Sequence, residues 1–225
     1  MLDGRNARYQ SMRPSTRQST NRTLRFIILF AASIVGAGFV HELGHAVAAW
    51  VQGVGAVPTL MNEYLLRDEI QWNQYVWIAL GGPVGSVLAV VVAAIWLLRR
   101  PGGSEEAVLA GALLMPIAYT VRFLLLGRGH DALEWQAAQS ALGADPAGHA
   151  VDLIFLVLCL VGGVVWAVRR RDRLIASSLG KAIGLAVVGI ALLVILQVGN
   201  KALFNRWFAE CRIVDVPPIL QASQK

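Results

Sequence analysis

Hydrophobic residues along this chain gather into five long blocks, covering about 24–50, 75–98, 107–126, 151–168 and 182–198, with short polar stretches between them. An α-helix needs about 20 apolar residues to cross ~30 Å of hydrocarbon, and each block approaches or exceeds that length. Lipid offers no partner to an open backbone N–H or C=O, so the blocks predict helices. The ten-residue alternation expected of a transmembrane barrel strand is absent. The pattern therefore predicts an all-α, polytopic membrane protein with about five transmembrane helices. Small residues punctuate the blocks (Gly36 and Gly38, Gly81, Gly85 and Ser86, Gly162 and Gly163, Gly184 and Gly189), as close helix packing in lipid favours.

The polar remainder divides the 225 residues further. Residues 1–23 form an Arg-rich tail with a single acid, Asp3, and the segment 205–225 is a second polar tail. Residues 52–74 are neither apolar enough to span nor rich in linker residues. There Gly53 to Pro58 predicts an extended, turning segment that can re-enter the membrane, and Tyr64, Trp72, Tyr75 and Trp77 suit an interfacial aromatic belt.

Composition agrees with the pattern. Hydrophobic side chains make up 56% of the chain and charged ones 15%, with a mean hydropathy of +0.57; a soluble domain carries about 25% charged residues. The formal charge of +6 is accounted for by topology and not by a nucleic-acid surface. With the N-terminus inside, thirteen Lys and Arg fall on the inner side and six on the outer, which predicts a cytoplasmic N-terminus. Arg122 lies within the third block and needs a partner, a wet cavity or a route to the interface. Cys159 sits in an apolar block and Cys211 in the C-terminal tail, so no disulfide framework is expected.

The chemistry concentrates in the first block. His41-Glu42-Leu43-Gly44-His45 sets two histidines four residues apart, one helical turn, on a single face. Both imidazoles can then bind one zinc ion, and a catalytic zinc keeps a position open for water. Zinc lowers the pKa of that water towards 7, and Glu42 is placed to take its proton and deliver it to a leaving group. A third protein ligand is required. Asp131, His130 and Glu134 form one candidate group after the third block, and His149 with Asp152 form another at the start of the fourth. If the third helix continues through this region, Asp131 and Glu134 share a face. Alternation across the membrane brings the end of the first helix, the start of the second, the end of the third and the start of the fourth to one side.

These residues resemble the site-2 protease family of intramembrane zinc metalloproteases. The likeness rests on His41-Glu42-Leu43-Gly44-His45 in a membrane helix, Gly82-Pro83 in the next, and Asp131 at the end of the one after. It covers about 24–135, which the resemblance makes a three-helix catalytic core, with two further helices in 136–204. It implies that His41, His45 and Asp131 hold Zn²⁺ and that Glu42 is the general base and acid. It also implies cleavage of membrane-anchored protein substrates in or near their transmembrane segments. This chain has Ser86 where that family usually has Asn in a Gly-Pro-x-x-Asn motif, and it lacks the usual Asn-Pro ahead of an Asp-Gly. Two other functions share the metal chemistry: a non-proteolytic zinc-binding scaffold or chaperone, and a zinc-dependent hydrolase of a lipid-like substrate. Intact Glu42 argues against the scaffold.

Overall fold

The computed structural model describes residues 16–66, 70–100, 102–127, 130–144, 149–170 and 178–207. Most of the Arg-rich N-terminal tail and the C-terminal segment with Cys211 lie outside the described residues. The chain is an all-α, multi-pass membrane protein. In chain order its elements are α1 (Thr16–Val51), β1 (Ala56–Pro58), β2 (Glu63–Leu65), α2 (Trp72–Arg99), α3 (Gly103–Leu126), α4 (His130–Ala141), α5 (Ala150–Arg170) and α6 (Ser178–Trp207). Five of the helices, all but α4, are long and apolar enough to cross a membrane. Their outer faces confirm the environment: Leu124, Leu125, Val164, Ile195 and Val198 are 61–77% exposed. A soluble monomer does not leave apolar faces this extensive in water.

Among the described elements the interface between α1 and α2 is the most extensive, and glycine sets its distance. A Cβ on Gly44 would collide with the Gly81 carbonyl, one on Gly81 with the Gly44 carbonyl, and one on Gly85 with the Val40 carbonyl. With hydrogen at these positions the two backbones touch directly, the packing that replaces hydrophobic burial as the glue in lipid. Gly36 and Gly163 belong to the same sequence pattern, yet a Cβ there would meet nothing within 4 Å. Gly162 and Gly189 pack instead against side chains, Leu113 and Leu114, so the direct backbone contact of α1 with α2 lies beside the histidine motif.

At the end of α1 the chain stops in a Schellman turn. Gly53 adopts φ +72°, its N–H bonds the Trp50 carbonyl at 3.0 Å, and the Val54 N–H bonds the Ala49 carbonyl at 2.9 Å. The segment predicted as extended then forms an antiparallel hairpin, with Ala56 opposite Leu65, Val57 opposite Tyr64 and Pro58 opposite Glu63. The hairpin folds back on the helices: the Trp50 indole N–H donates to the Ala56 carbonyl at 2.9 Å, and Val54, Ala56 and Leu65 share a core with Ala46, Ala49 and Ile78.

The third helix does not run on to Asp131. Gly127 takes a left-handed φ of +74° and its N–H caps the Phe123 carbonyl at 2.7 Å, which ends α3. Asp131 lies instead in the first turn of the separate helix α4, a position that favours an acidic residue. Helix α4 is seated by Ala132, Trp135 and Ala138, all buried, in cores built with α2 and α5. Helix α6 is the most peripheral: 11% of its apolar window is buried, against 56% in α2. It leans on Phe30, Ile34 and Leu114 through Leu192 and Leu193, and the Asn200 amide donates to Thr59 Oγ1 of the hairpin turn at 2.9 Å.

Candidate metal centre

His41 and His45 project from one face of α1 with their rings edge to face, centroids 4.8 Å apart. Both are buried, as are Glu42 and Asp131. Each imidazole is fixed through its Nδ1. In His45, Nδ1 lies 2.7 Å from the Ile78 carbonyl of α2, an acceptor only, so Nδ1 carries the proton and Nε2 presents a lone pair. In His41, Nδ1 lies 2.9 Å from the Ser86 hydroxyl, also on α2. The two Nε2 atoms come within 3.2 Å of each other, and Asp131 Oδ2 lies 3.4 Å from His41 Nε2.

Those separations are what a tetrahedral ion requires. Two ligand atoms each about 2.05 Å from one zinc, at the tetrahedral angle, stand about 3.3 Å apart. Lone pairs and a carboxylate oxygen held this close in a buried site repel one another unless a cation or a proton lies among them. Ligand atoms of His41, His45 and Asp131 all fall within 4.8 Å of one another, and this buried group can hold a metal ion. The charge-neutral imidazoles and one carboxylate suit a divalent cation that accepts nitrogen and oxygen.

Surrounding residues brace the ligands. The Tyr119 hydroxyl donates to Asp131 Oδ1 at 3.1 Å, leaving Oδ2 on the histidine side. The Tyr119 ring stacks on His41 at 5.7 Å and on Phe155 at 4.6 Å, so one aromatic column locks a ligand ring and a ligand carboxylate together. A cavity of about 320 Å³ opens onto the centre, lined by His41, Glu42, His45 and Asp131 and, farther out, by Glu63, Tyr75, Arg122 and Glu134. The inner face of α6 closes part of it with Leu193, Gln197 and Lys201. The cavity gives water a path to the buried group of His41, His45 and Asp131.

The sequence candidates separate cleanly. His41, His45 and Asp131 come together, and Glu42 faces the same cavity. Glu134 lines the cavity and hydrogen-bonds Tyr75, apart from the three-residue group. His149 pairs with Asp152 at 3.3 Å, its side chain 54% exposed and its ring against Phe123, away from the centre. The side chain of His130 lies outside the described residues. Arg122 is exposed at the cavity. Sequence reasoning did not single out Tyr119, the Ile78 carbonyl or Glu63. Tyr119 had a signal, since Tyr119, Thr120 and Arg122 interrupt an apolar block; the backbone carbonyl had none.

Glu63 is the outlying titratable group. It sits on β2, outside the membrane-spanning helices, and burial pushes its carboxyl up to about 7 from an ordinary 4.5. His45 opposes that rise, and Glu134 and Asp131 add to it.

No protein-family model matches the chain, and no curated protein or solved structure matches it either.

Proposed function

We propose that this chain is an intramembrane zinc metalloprotease that hydrolyses peptide bonds in or near the transmembrane segments of membrane-anchored proteins. One observation carries the reading: the two imidazole Nε2 atoms of a His-Glu-x-x-His helix meet at 3.2 Å beside a carboxylate, with Glu42 on the adjoining cavity wall. His41, His45 and Asp131 would hold the zinc, which when bound acidifies water and polarises a carbonyl. Glu42 takes the proton from the attacking water and returns it to the departing amine, so no proton is stranded in a poorly solvated site. The Ile78 carbonyl holds His45 in the tautomer that leaves Nε2 free, the Ser86 hydroxyl anchors His41 through Nδ1, and Tyr119 turns Asp131 towards them. The distribution of basic residues supports a cytoplasmic N-terminus, which reporter fusions at the two termini would test.

The test is a digestion of transmembrane peptides by detergent-purified protein in oxygen-labelled water. Hydrolysis gives a new carboxyl terminus bearing label, stops when a chelator removes metal, and returns when zinc is added back. A protein that holds zinc and cleaves no peptide would instead support the scaffold function, and label appearing in a lipid acid would support the lipid hydrolase.

A further inference from the structure

Two cations stand within membrane-spanning helices on the wall of the metal-centre cavity, Arg122 in α3 and Lys201 in α6. An ionisable side chain inside a span is costly, and it persists where it lines a wet cavity or serves a function. Helical spacing turns both inward. On α3, Met115, Tyr119 and Arg122 line the cavity, while Leu124 and Leu125 face outward, 69% and 77% exposed. On α6, Leu193, Gln197 and Lys201 line it at intervals of four residues, while Ile195 and Val198 face outward.

The two helices bring these cations to neighbouring levels. A Cβ on Gly189 of α6 would collide with the Leu114 side chain of α3, which fixes one contact between them. Both helices run from there towards the metal side, α3 to Tyr119 at Asp131 and α6 to Asn200 at Thr59 of the hairpin. Eight residues on from Leu114 and Gly189 lie Arg122 and Gln197, and Lys201 follows about one turn, or 6 Å, later. Neither cation forms an ion pair or hydrogen bond with another described residue. Both are exposed, so a ligand in the cavity can reach them.

Resting on the protease reading, we propose that Arg122 and Lys201, with the Gln197 amide beside them, determine specificity by receiving the carboxylate of a substrate aspartate or glutamate near the bond to be cut. A guanidinium offers a planar fork of donors that matches a carboxylate, and an ammonium adds a compact charge. Arg122 stands three residues, about 4.5 Å of helix, beyond Tyr119, whose hydroxyl bonds Asp131. With the side chains added, a carboxylate on Arg122 stands on the order of 10 Å from the metal position, about three residues of extended peptide. A lipid phosphate would meet the outward faces of α3 and α6. The cations open instead onto the cavity that holds the metal centre, which favours an anion arriving on the substrate.

The experiment measures binding and does not need turnover. Full-length Glu42→Gln protein supplied with zinc, in an uncharged detergent, is titrated with transmembrane peptides in which a single glutamate is moved along the sequence. Each is compared with the peptide carrying glutamine at that position. At one register glutamate is expected to bind about 5- to 30-fold tighter, between the ranges for an exposed ion pair and a charge-assisted hydrogen bond. Arg122→Gln and Lys201→Gln should each reduce that ratio, and the double variant should abolish it while zinc content and glutamine-peptide binding stay unchanged. Arg206→Gln removes another exposed cation of α6, one that does not line the cavity, and should leave the ratio as it was. The peptide pairs need no change in the protein, so they decide the matter even if a variant misfolds.

Equal binding of glutamate and glutamine peptides at every register would overturn the proposal, because the cations would then be engaged by an acid of the chain itself or by water. A preference that survives the double variant would overturn it too. So would retention of phosphatidylglycerol over phosphatidylcholine that is lost in the double variant and comes with no glutamate preference, because the cations would then form a lipid site. Cleavage by wild type without any glutamate preference would sink the subsite and leave the protease. A glutamate preference in binding with no cleavage by wild type would do the reverse.

Discussion

Replacing Gly82 with alanine tests the packing that holds His45 against its metal position. A Cβ at residue 82 would collide with His45 Nε2 and stand 2.6 Å from both Cδ2 and Cε1. Ordinary contact begins near 3.4 Å, so Cδ2 and Cε1 alone require a retreat of about 0.8 Å, and the closer Nε2 requires more. Metal ligation tolerates about 0.2 Å. Retreat is also opposed by the 2.7 Å bond from His45 Nδ1 to the Ile78 carbonyl on the same helix as Gly82, which must stretch as the ring moves away. Losing an orienting partner typically lowers metal affinity about 10- to 100-fold. Gly82→Ala displaces the ligand as well and should cost at least about 100-fold in zinc affinity, with about 1–3 kcal/mol of overpacking strain. The assay is competition for zinc against a coloured chelator in detergent, run beside thermal unfolding. Gly36→Ala is the control, since its Cβ meets nothing within 4 Å, and it should bind zinc like wild type. Wild-type zinc affinity in Gly82→Ala would refute the reasoning, because His45 could not then sit where the 2.6 Å contacts place it.

Other outcomes follow from the same geometry. Asp131→Ala should lose its zinc whereas Glu134→Ala and Asp152→Ala keep it, as metal counts on the purified variants would register. Ser86→Ala removes the partner of His41 Nδ1 and should weaken zinc binding about 10- to 100-fold without unfolding the protein, measured by the same competition. Tyr119→Phe keeps the ring column but removes the hydroxyl that donates to Asp131 Oδ1, so zinc affinity should fall while thermal stability changes little. In metal-free protein the raised carboxyl of Glu63 binds a proton that the unfolded chain releases, so stability should decline as pH rises from about 4.5 to about 7. Glu63→Gln should flatten that decline in unfolding curves taken across the interval.

The membrane fold was legible because its cause is local: an apolar block of this length has few alternatives in lipid, and five blocks became five long helices. His41, Glu42 and His45 were legible for a similar reason, since helical periodicity alone puts the two histidines on one face. Asp131 could be chosen among five candidates only through a family resemblance, because its place depends on where α3 stops. Gly127 stops it, yet a glycine between an apolar block and a polar stretch reads equally well as a loop. The glycines illustrate the same limit. Gly36 and Gly44 look alike in sequence, and only the crossing point of α1 and α2 decides that one faces open space and the other the Gly81 backbone. Ser86 shows a substitution that sequence comparison alone leaves uninterpreted: its hydroxyl holds His41. Glu63 carried no signal at all, being one acid in a polar segment until the hairpin aims it into the cavity.

The measurement that bears most directly on the central claim is a paired one, zinc content and peptide cleavage for wild type and Glu42→Gln. The account predicts one zinc per chain in both proteins, cleavage of transmembrane peptides by wild type, and none by Glu42→Gln. Cleavage that persists in Glu42→Gln, or a wild type that binds no zinc, would contradict it.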